Sequence, residues 1–106
     1  VLANRLQATL GHTPLVVGDP DRPVRRLAWC SGAAQSFFLD AVAKGVDAFV
    51  TGEISEPYVH LARESGVAFL AAGHHATERF GVQALGARLA QRYGITVTFF
   101  DDPSPV

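Results

Sequence analysis

The sequence predicts an α/β three-layer sandwich on a mostly parallel sheet. Three observations carry this. The strand candidates Asp47 to Thr51 and Val67 to Ala72 are almost wholly apolar, as strands covered on both faces are. They alternate with segments of helical character, the order of strand-helix-strand units. Glycines stand where those helices end, and the crossovers are expected to be right-handed.

Taken in order, Leu2, Leu6 and Leu10 recur at helical spacing and Gly11 stops the helix. Pro14 to Val17 reads as a short strand, followed by a turn over Gly18 to Asp21. Arg25 to Trp29 is a second strand, ending in the loop Cys30-Ser31-Gly32-Ala33-Ala34. Gln35 to Lys44 is a helix closed by Gly45, and Asp47 to Thr51 a strand leading into Gly52-Glu53. Glu56 to Ser65 is a helix that tolerates Pro57 in its first turn, where a missing N–H costs little. Val67 to Ala72 is a strand leading into Gly73-His74-His75. Ala76 to Tyr93 is a long helix with Val82, Leu85, Leu89 and Tyr93 on one face, and Ile95 to Phe100 is the last predicted strand.

The 106 residues suffice for one domain, 1–106. With 48% hydrophobic and 18% charged residues the composition is that of an ordinary globular domain. At this size the core is marginal, and packing against further chain or subunits would strengthen it. A net charge of −1, with no basic run beyond Arg25-Arg26, lacks the footprint of a nucleic-acid binder. One cysteine, Cys30, excludes an internal disulfide framework and fits a reducing compartment, read as the cytoplasm. No apolar run approaches the roughly 20 residues of a membrane span. Val1 stands where a start methionine would, and the first ten residues lack a signal-peptide pattern. A piece of a longer protein is therefore expected, with the proline-broken stretch Asp102 to Val106 as a natural end.

Open parallel sheets bind ligands beyond the carboxyl ends of their strands. Three turns fall there: Cys30 to Ser36, Thr51-Gly52-Glu53, and Gly73-His74-His75-Ala76-Thr77-Glu78. The turns at the opposite edge, around Gly45, Gly66 and Gly94, carry little chemistry.

In the third turn, His74 and Glu78 are four residues apart where a helix begins, a spacing that stacks side chains about 5–6 Å apart at Cβ. An imidazole and a carboxylate so placed suit a divalent transition metal. Two readings stand at this point. The pair is a metal site, or Glu78 is a first-turn acid favoured by the helix dipole and the histidines are surface groups. His74 is the better ligand, because His75 lacks the spacing to Glu78. Glu53 is placed to accept a proton, to hydrogen-bond a ligating histidine, to contact a metal, or merely to cap a helix. The Ser31 to Ala34 stretch either offers backbone N–H groups to an anion or is a plain tight turn. Cys30 beside Trp29 reads as a small buried apolar residue. His60 reads as a packing or surface group, and His12 has no partner nearby in sequence.

The runs Val50-Thr51-Gly52-Glu53-Ile54-Ser55-Glu56, Ala71-Ala72-Gly73-His74-His75-Ala76-Thr77-Glu78-Arg79 and Val97-Thr98-Phe99-Phe100-Asp101-Asp102-Pro103 closely resemble the YbgI-like dinuclear-metal proteins. These belong to the Nif-three-like family, the type 2 homologues of GTP cyclohydrolase I. Ala28 to Phe37 matches as well, and the resemblance spans essentially the whole chain. It implies half of a duplicated fold of two interlocked α/β modules, with two divalent metals (Zn, Fe, Mn, Ni or Co) in the cleft between halves. It implies His74 as a terminal ligand, Glu78 as a bridging or terminal ligand, and Glu53 as a general base or as a partner of the ligating histidine. The remaining ligands, a His-His pair and an Asp, belong to the N-terminal half, which this chain lacks. The resemblance further implies a toroidal homohexamer and a metal-dependent hydrolase acting on a nucleotide-like or other small substrate, with the Ser31 loop as part of the cleft wall. The alternative is a non-catalytic, metal-stabilised assembly or interaction protein.

Overall fold

The computed structural model covers residues 1–106 and shows four strands and four α-helices. These are α1 (Leu2–Leu10), β1 (Leu15–Val17), β2 (Leu27–Trp29), α2 (Phe38–Ala43), β3 (Ala48–Thr51), α3 (Glu56–Ser65), β4 (Ala68–Ala71) and α4 (His74–Tyr93). The strands form one sheet in the order β1-β4-β3-β2. Two of its three pairings are parallel, with Trp29 opposite Val50 and Thr51 opposite Ala71. β1 joins the far edge antiparallel, Leu15 opposite Ala71.

Every residue of β3 and β4 is buried, which explains their unbroken apolar character. Alternation along the strands sends Phe49, Phe69 and Ala71 to one face, where they pack with Phe38 and Ala41 of α2 and Ala62 of α3. The other face takes Ala48, Val50, Ala68 and Leu70, covered by Leu2, Leu6 and Leu10 of α1. Helices therefore cover both faces, in the three layers predicted. The aromatic rings of Phe38, Phe49 and Phe69 lie 5.1–5.9 Å apart in tilted and edge-on arrangements. Such pairs add roughly 0.5–1.5 kcal/mol beyond their burial.

Two predicted elements differ. The helix expected from Gln35 to Lys44 opens as a 3₁₀ turn, Gln35–Phe37, before α2. The strand expected from Ile95 to Phe100 is absent. α4 rises about 30 Å over its 20 residues, and only Ala76 and Gly86 of it are buried. It carries the chain away from the sheet, whose β4 already has β1 and β3 as neighbours. Residues 95–106 instead run back along α4. Val97 fills the space left by Gly86, where an added Cβ would meet Val97 Cγ1 at 2.7 Å. Farther on, Asp101 pairs with Arg79 at 2.9 Å, and the His75 amide donates to the Val106 carbonyl at 3.0 Å. The apolar face expected on α4 finds no cover within this chain: Val82, Leu85 and Tyr93 are exposed. No helix is long and apolar enough to cross a membrane.

Candidate metal half-site at the sheet edge

Because β2, β3 and β4 are parallel, the turns that follow them share one edge. Backbone bonds tie the turns together. The Gly52 amide donates to Gly32 O at 2.7 Å, and the Gly73 amide to Gly52 O at 2.9 Å. Gly52 marks the tightest approach. An added Cβ would lie 2.5 Å from Gly32 O and 2.6 Å from His74 Cα, so only glycine fits.

Two threonine hydroxyls lock the loop after β2. Thr51 is fully buried, and its hydroxyl donates to Gly32 O at 3.0 Å while accepting from the Ala34 amide at 3.1 Å. Thr77, in the first turn of α4, accepts from the Gly32 amide at 3.0 Å and donates to Gly73 O at 2.8 Å. Two of the loop's amides, those of Gly32 and Ala34, are thus spent on threonine oxygens, which favours the tight-turn reading over an anion cradle.

α4 begins at His74, two residues before the predicted start, with Gly73 as its N-cap. His74 Nδ1 lies 2.5 Å from Glu53 Oε1, and Nε2 lies 3.0 Å from Glu78 Oε2. The three predicted site residues are therefore in one place, with the imidazole between two carboxylates. All three side chains are roughly a third to a half exposed, open to solvent. The His74 pKa is raised above its ordinary value. The hydrogen bond to Glu53 is the main cause, partial burial opposes it, and the Glu78 charge adds to it.

His75 points elsewhere. Its Nε2 pairs with Asp101 Oδ1 at 2.8 Å, which ties it to the returning tail. His12 lies against Gly73, within 3.1 Å of where a Cβ would stand. It lines, with Thr13, Glu53 and Val106, a cavity of about 300 Å³. Cys30 is exposed rather than buried, because β2 is an edge strand without an outer neighbour. His60 is exposed on α3. Thr51, Thr77 and Gly32 fall within the three turns that the sequence points to, but the hydrogen bonds by which they lock the loop are not visible there. The one available sign was a hydroxyl ending an apolar strand, at Thr51.

No group of three or more His, Cys, Asp or Glu side chains in the chain is arranged to hold a metal ion by itself. The donor set at this edge is one imidazole nitrogen and one carboxylate, with a second carboxylate behind the ring. The chain is thus an α/β module with a histidine–carboxylate pair where its parallel strands end. Its sequence matches the family described as Duf34/NIF3 (NGG1p interacting factor 3) over residues 1–105, and the chain belongs to that family. It is 52% identical over 104 residues to the GTP cyclohydrolase 1 type 2 homolog of Neisseria meningitidis serogroup B, covering 98% of this chain and 42% of that protein. With the Pseudomonas aeruginosa protein of the same name it shares 54% over 103 residues, 97% of this chain and 40% of the relative. Among solved structures, the protein ybgI, described as of unknown function, superposes with a TM-score of 0.94 at 51% identity, covering 99% of this chain and 43% of that one. The chain spans less than half the length of these relatives.

Proposed function

We propose that this chain supplies one half of a dinuclear divalent-metal centre in a metal-dependent hydrolase. His74 and Glu78 donate to the cation, and Glu53 orients His74. One observation carries this reading: His74 presents Nε2 to Glu78 while its other nitrogen is held by Glu53. A neutral imidazole has a single N–H. A carboxylate accepting it from Nδ1 leaves the Nε2 lone pair for a cation, the arrangement that partners of metal-bound histidines impose. The donors also fit the ion. Nitrogen and oxygen 3.0 Å apart suit a shared cation at bond lengths of about 2.0–2.2 Å. This N/O set is compatible with Zn, Fe, Mn, Ni or Co.

Two close metals, when bound, supply an activated water and stabilise a leaving oxygen. The chain's own residues do the rest. Glu53 accepts the Nδ1–H of His74 in a hydrogen bond and so fixes the histidine tautomer, and Glu78 brings negative charge to the cation. The remaining donors would come from the part of the relatives' length that lies outside this chain. The relatives' name as homologues of a GTP cyclohydrolase supports a nucleotide-like substrate. The exposed apolar residues of α4 and the tail, among them Leu85, Tyr93 and Phe100, favour a second reading. In it the metal centre stabilises a homo-oligomer, a hexamer as in the resembled family, without turnover.

Elemental analysis of the full-length protein, wild type against His74→Ala and Glu78→Ala, tests the site. Metal affinity is expected to fall by more than about tenfold in each, since losing even a hydrogen-bond partner of a ligand costs roughly 10–100-fold. Unchanged metal content in both variants would sink the reading. Turnover of nucleotide substrates that disappears with the metal favours the hydrolase. A change of oligomer size with no turnover on any substrate favours the assembly.

A further inference from the structure

We infer that Gly32 is the residue that sets the room available to the cation at His74 and Glu78. The loop after β2 would then be a shaped wall of the metal site, not merely a connection. This rests on the metal-centre reading above and adds a residue that donates nothing to the metal.

The geometry is specific. A Cβ built on Gly32 would overlap Glu78 Oε1, lie 3.0 Å from Glu78 Cδ and lie 3.3 Å from His74 Nε2. Those are the carboxylate and the ring nitrogen that face each other across 3.0 Å. A methyl there occupies the space beside both donor atoms, which a cation or its bound water would need. The loop has little freedom to retreat. Gly32 O accepts from the Thr51 hydroxyl at 3.0 Å and from the Gly52 amide at 2.7 Å, and Gly32 N–H is held by Thr77 Oγ1 at 3.0 Å. Thr77 belongs to the same helical turn as His74 and Glu78. One helical turn therefore carries both donors and anchors the loop opposite them, so the spacing between loop and helix backbone is fixed by hydrogen bonds.

Gly32 also has φ +72°, a conformation that L side chains rarely adopt. Strain and crowding must therefore be separated, and the fold offers a control. Gly45, at the opposite edge of the sheet, has φ +69°, and a Cβ there meets nothing closer than Arg26 Nη1 at 3.7 Å. Gly32→Ala and Gly45→Ala carry similar backbone strain, and only the first intrudes on the donors.

The test measures Zn²⁺ affinity of the full-length protein by competition with a chromophoric chelator, alongside the thermal midpoint of the metal-free protein. Gly32→Ala is expected to lose more than about tenfold in affinity. Gly45→Ala is expected to drop in midpoint by a similar amount and bind zinc as the wild type does. Wild-type affinity in Gly32→Ala overturns the inference. So does an equal loss in Gly45→Ala, which would assign the effect to strain. If Gly32→Ala does not fold, Thr77→Val and Thr77→Ser decide. Loss of affinity in the valine variant and its recovery in the serine variant support a wall held by the hydroxyl, and unchanged affinity in Thr77→Val overturns it. His74→Ala measured in parallel separates the two levels. If it also retains zinc, the metal-centre reading itself has failed. If it loses zinc while Gly32→Ala and Thr77→Val retain it, only the role of Gly32 has.

Discussion

The two edges of the parallel strands use carboxylates in opposite ways. Where the strands begin, Asp47 Oδ2 accepts the backbone amides of Arg25 and Arg26, each at 2.8 Å. Nearby, the Arg22 guanidinium donates to Gly66 O. Where the strands end, Glu53 and Glu78 face the two nitrogens of one imidazole. At the first edge the partners are amides that can neither leave nor change charge, so Asp47 ties a loop to the sheet. At the second, the partner is a side chain that exchanges protons, open to solvent and able to accept a cation in a proton's place. The shifts follow. Backbone hydrogen bonding holds Asp47 below the usual carboxylate range, and Glu53 raises His74. On the proposed metal-site reading, what separates a structural acid from a functional one here is the partner rather than the acid.

The sharpest way to break that contrast is to neutralise one acid at each edge. Glu53→Gln keeps an acceptor for Nδ1–H but removes the charge behind the imidazole. Metal affinity of the full-length protein should fall roughly 10–100-fold, the usual cost of losing such a partner. Asp47→Asn should leave metal affinity unchanged and lower the thermal midpoint. Chelator competition and thermal unfolding on both variants measure the two effects. If Asp47→Asn weakens metal binding as much as Glu53→Gln does, the edges are not functionally distinct.

A smaller effect sharpens the contrast by asking how the site edge is anchored to the core. Thr51 is the only polar side chain among the fully buried residues, and its hydroxyl serves Gly32 O and the Ala34 amide. Thr51→Val keeps the shape and strands that amide in the interior. The expected cost is about 1–3 kcal/mol, the penalty of a buried group left unpaired, read from urea unfolding. A neutral effect would mean that the loop stands without its threonine.

Thr51 also shows where sequence reading stops. The sheet was legible because β3 and β4 are buried on both faces, which leaves an apolar run that needs no knowledge of partners. The gathering of three turns at one edge followed from their being parallel. The spacing of His74 and Glu78 was legible because one helical turn brings residues four apart together. Pairings across the fold were not. Nothing local says that Glu53, 21 residues away, takes Nδ1 of His74, or that Asp101, 26 residues away, takes His75. The alternating apolar residues Ile95, Val97 and Phe99 have the pattern of a strand. A strand also needs a neighbour, and the length of α4 removes these residues from the sheet. The face of Val82, Leu85, Leu89 and Tyr93 on α4 teaches the same: periodicity shows that a helix has an apolar side, and only the fold shows what covers it.

The smallest expected effect lies in the pH dependence of the strand-start edge. Asp47 has its pKa lowered from 3.8, first by the Arg26 amide and then by that of Arg25, with the charges of Arg22 and Arg25 adding to this and burial opposing it. A carboxyl whose folded pKa lies below its unfolded value of about 3.9 favours the folded state while it is ionised. That contribution is complete above the unfolded pKa and is lost as pH falls through the folded one. Asp47→Asn has no such ionisation. The difference in urea midpoint between wild type and variant should therefore be largest near about pH 6 and shrink on acidification below about pH 4. His74 carries the opposite sign, because a raised pKa stabilises the folded state at low pH, and Asp47→Asn leaves that part untouched. A midpoint difference that stayed constant down to low pH would mean that the charge of Asp47 contributes nothing. The amides of Arg25 and Arg26 would then be served equally well by a neutral oxygen, and the contrast between the edges would rest on the metal-site side alone.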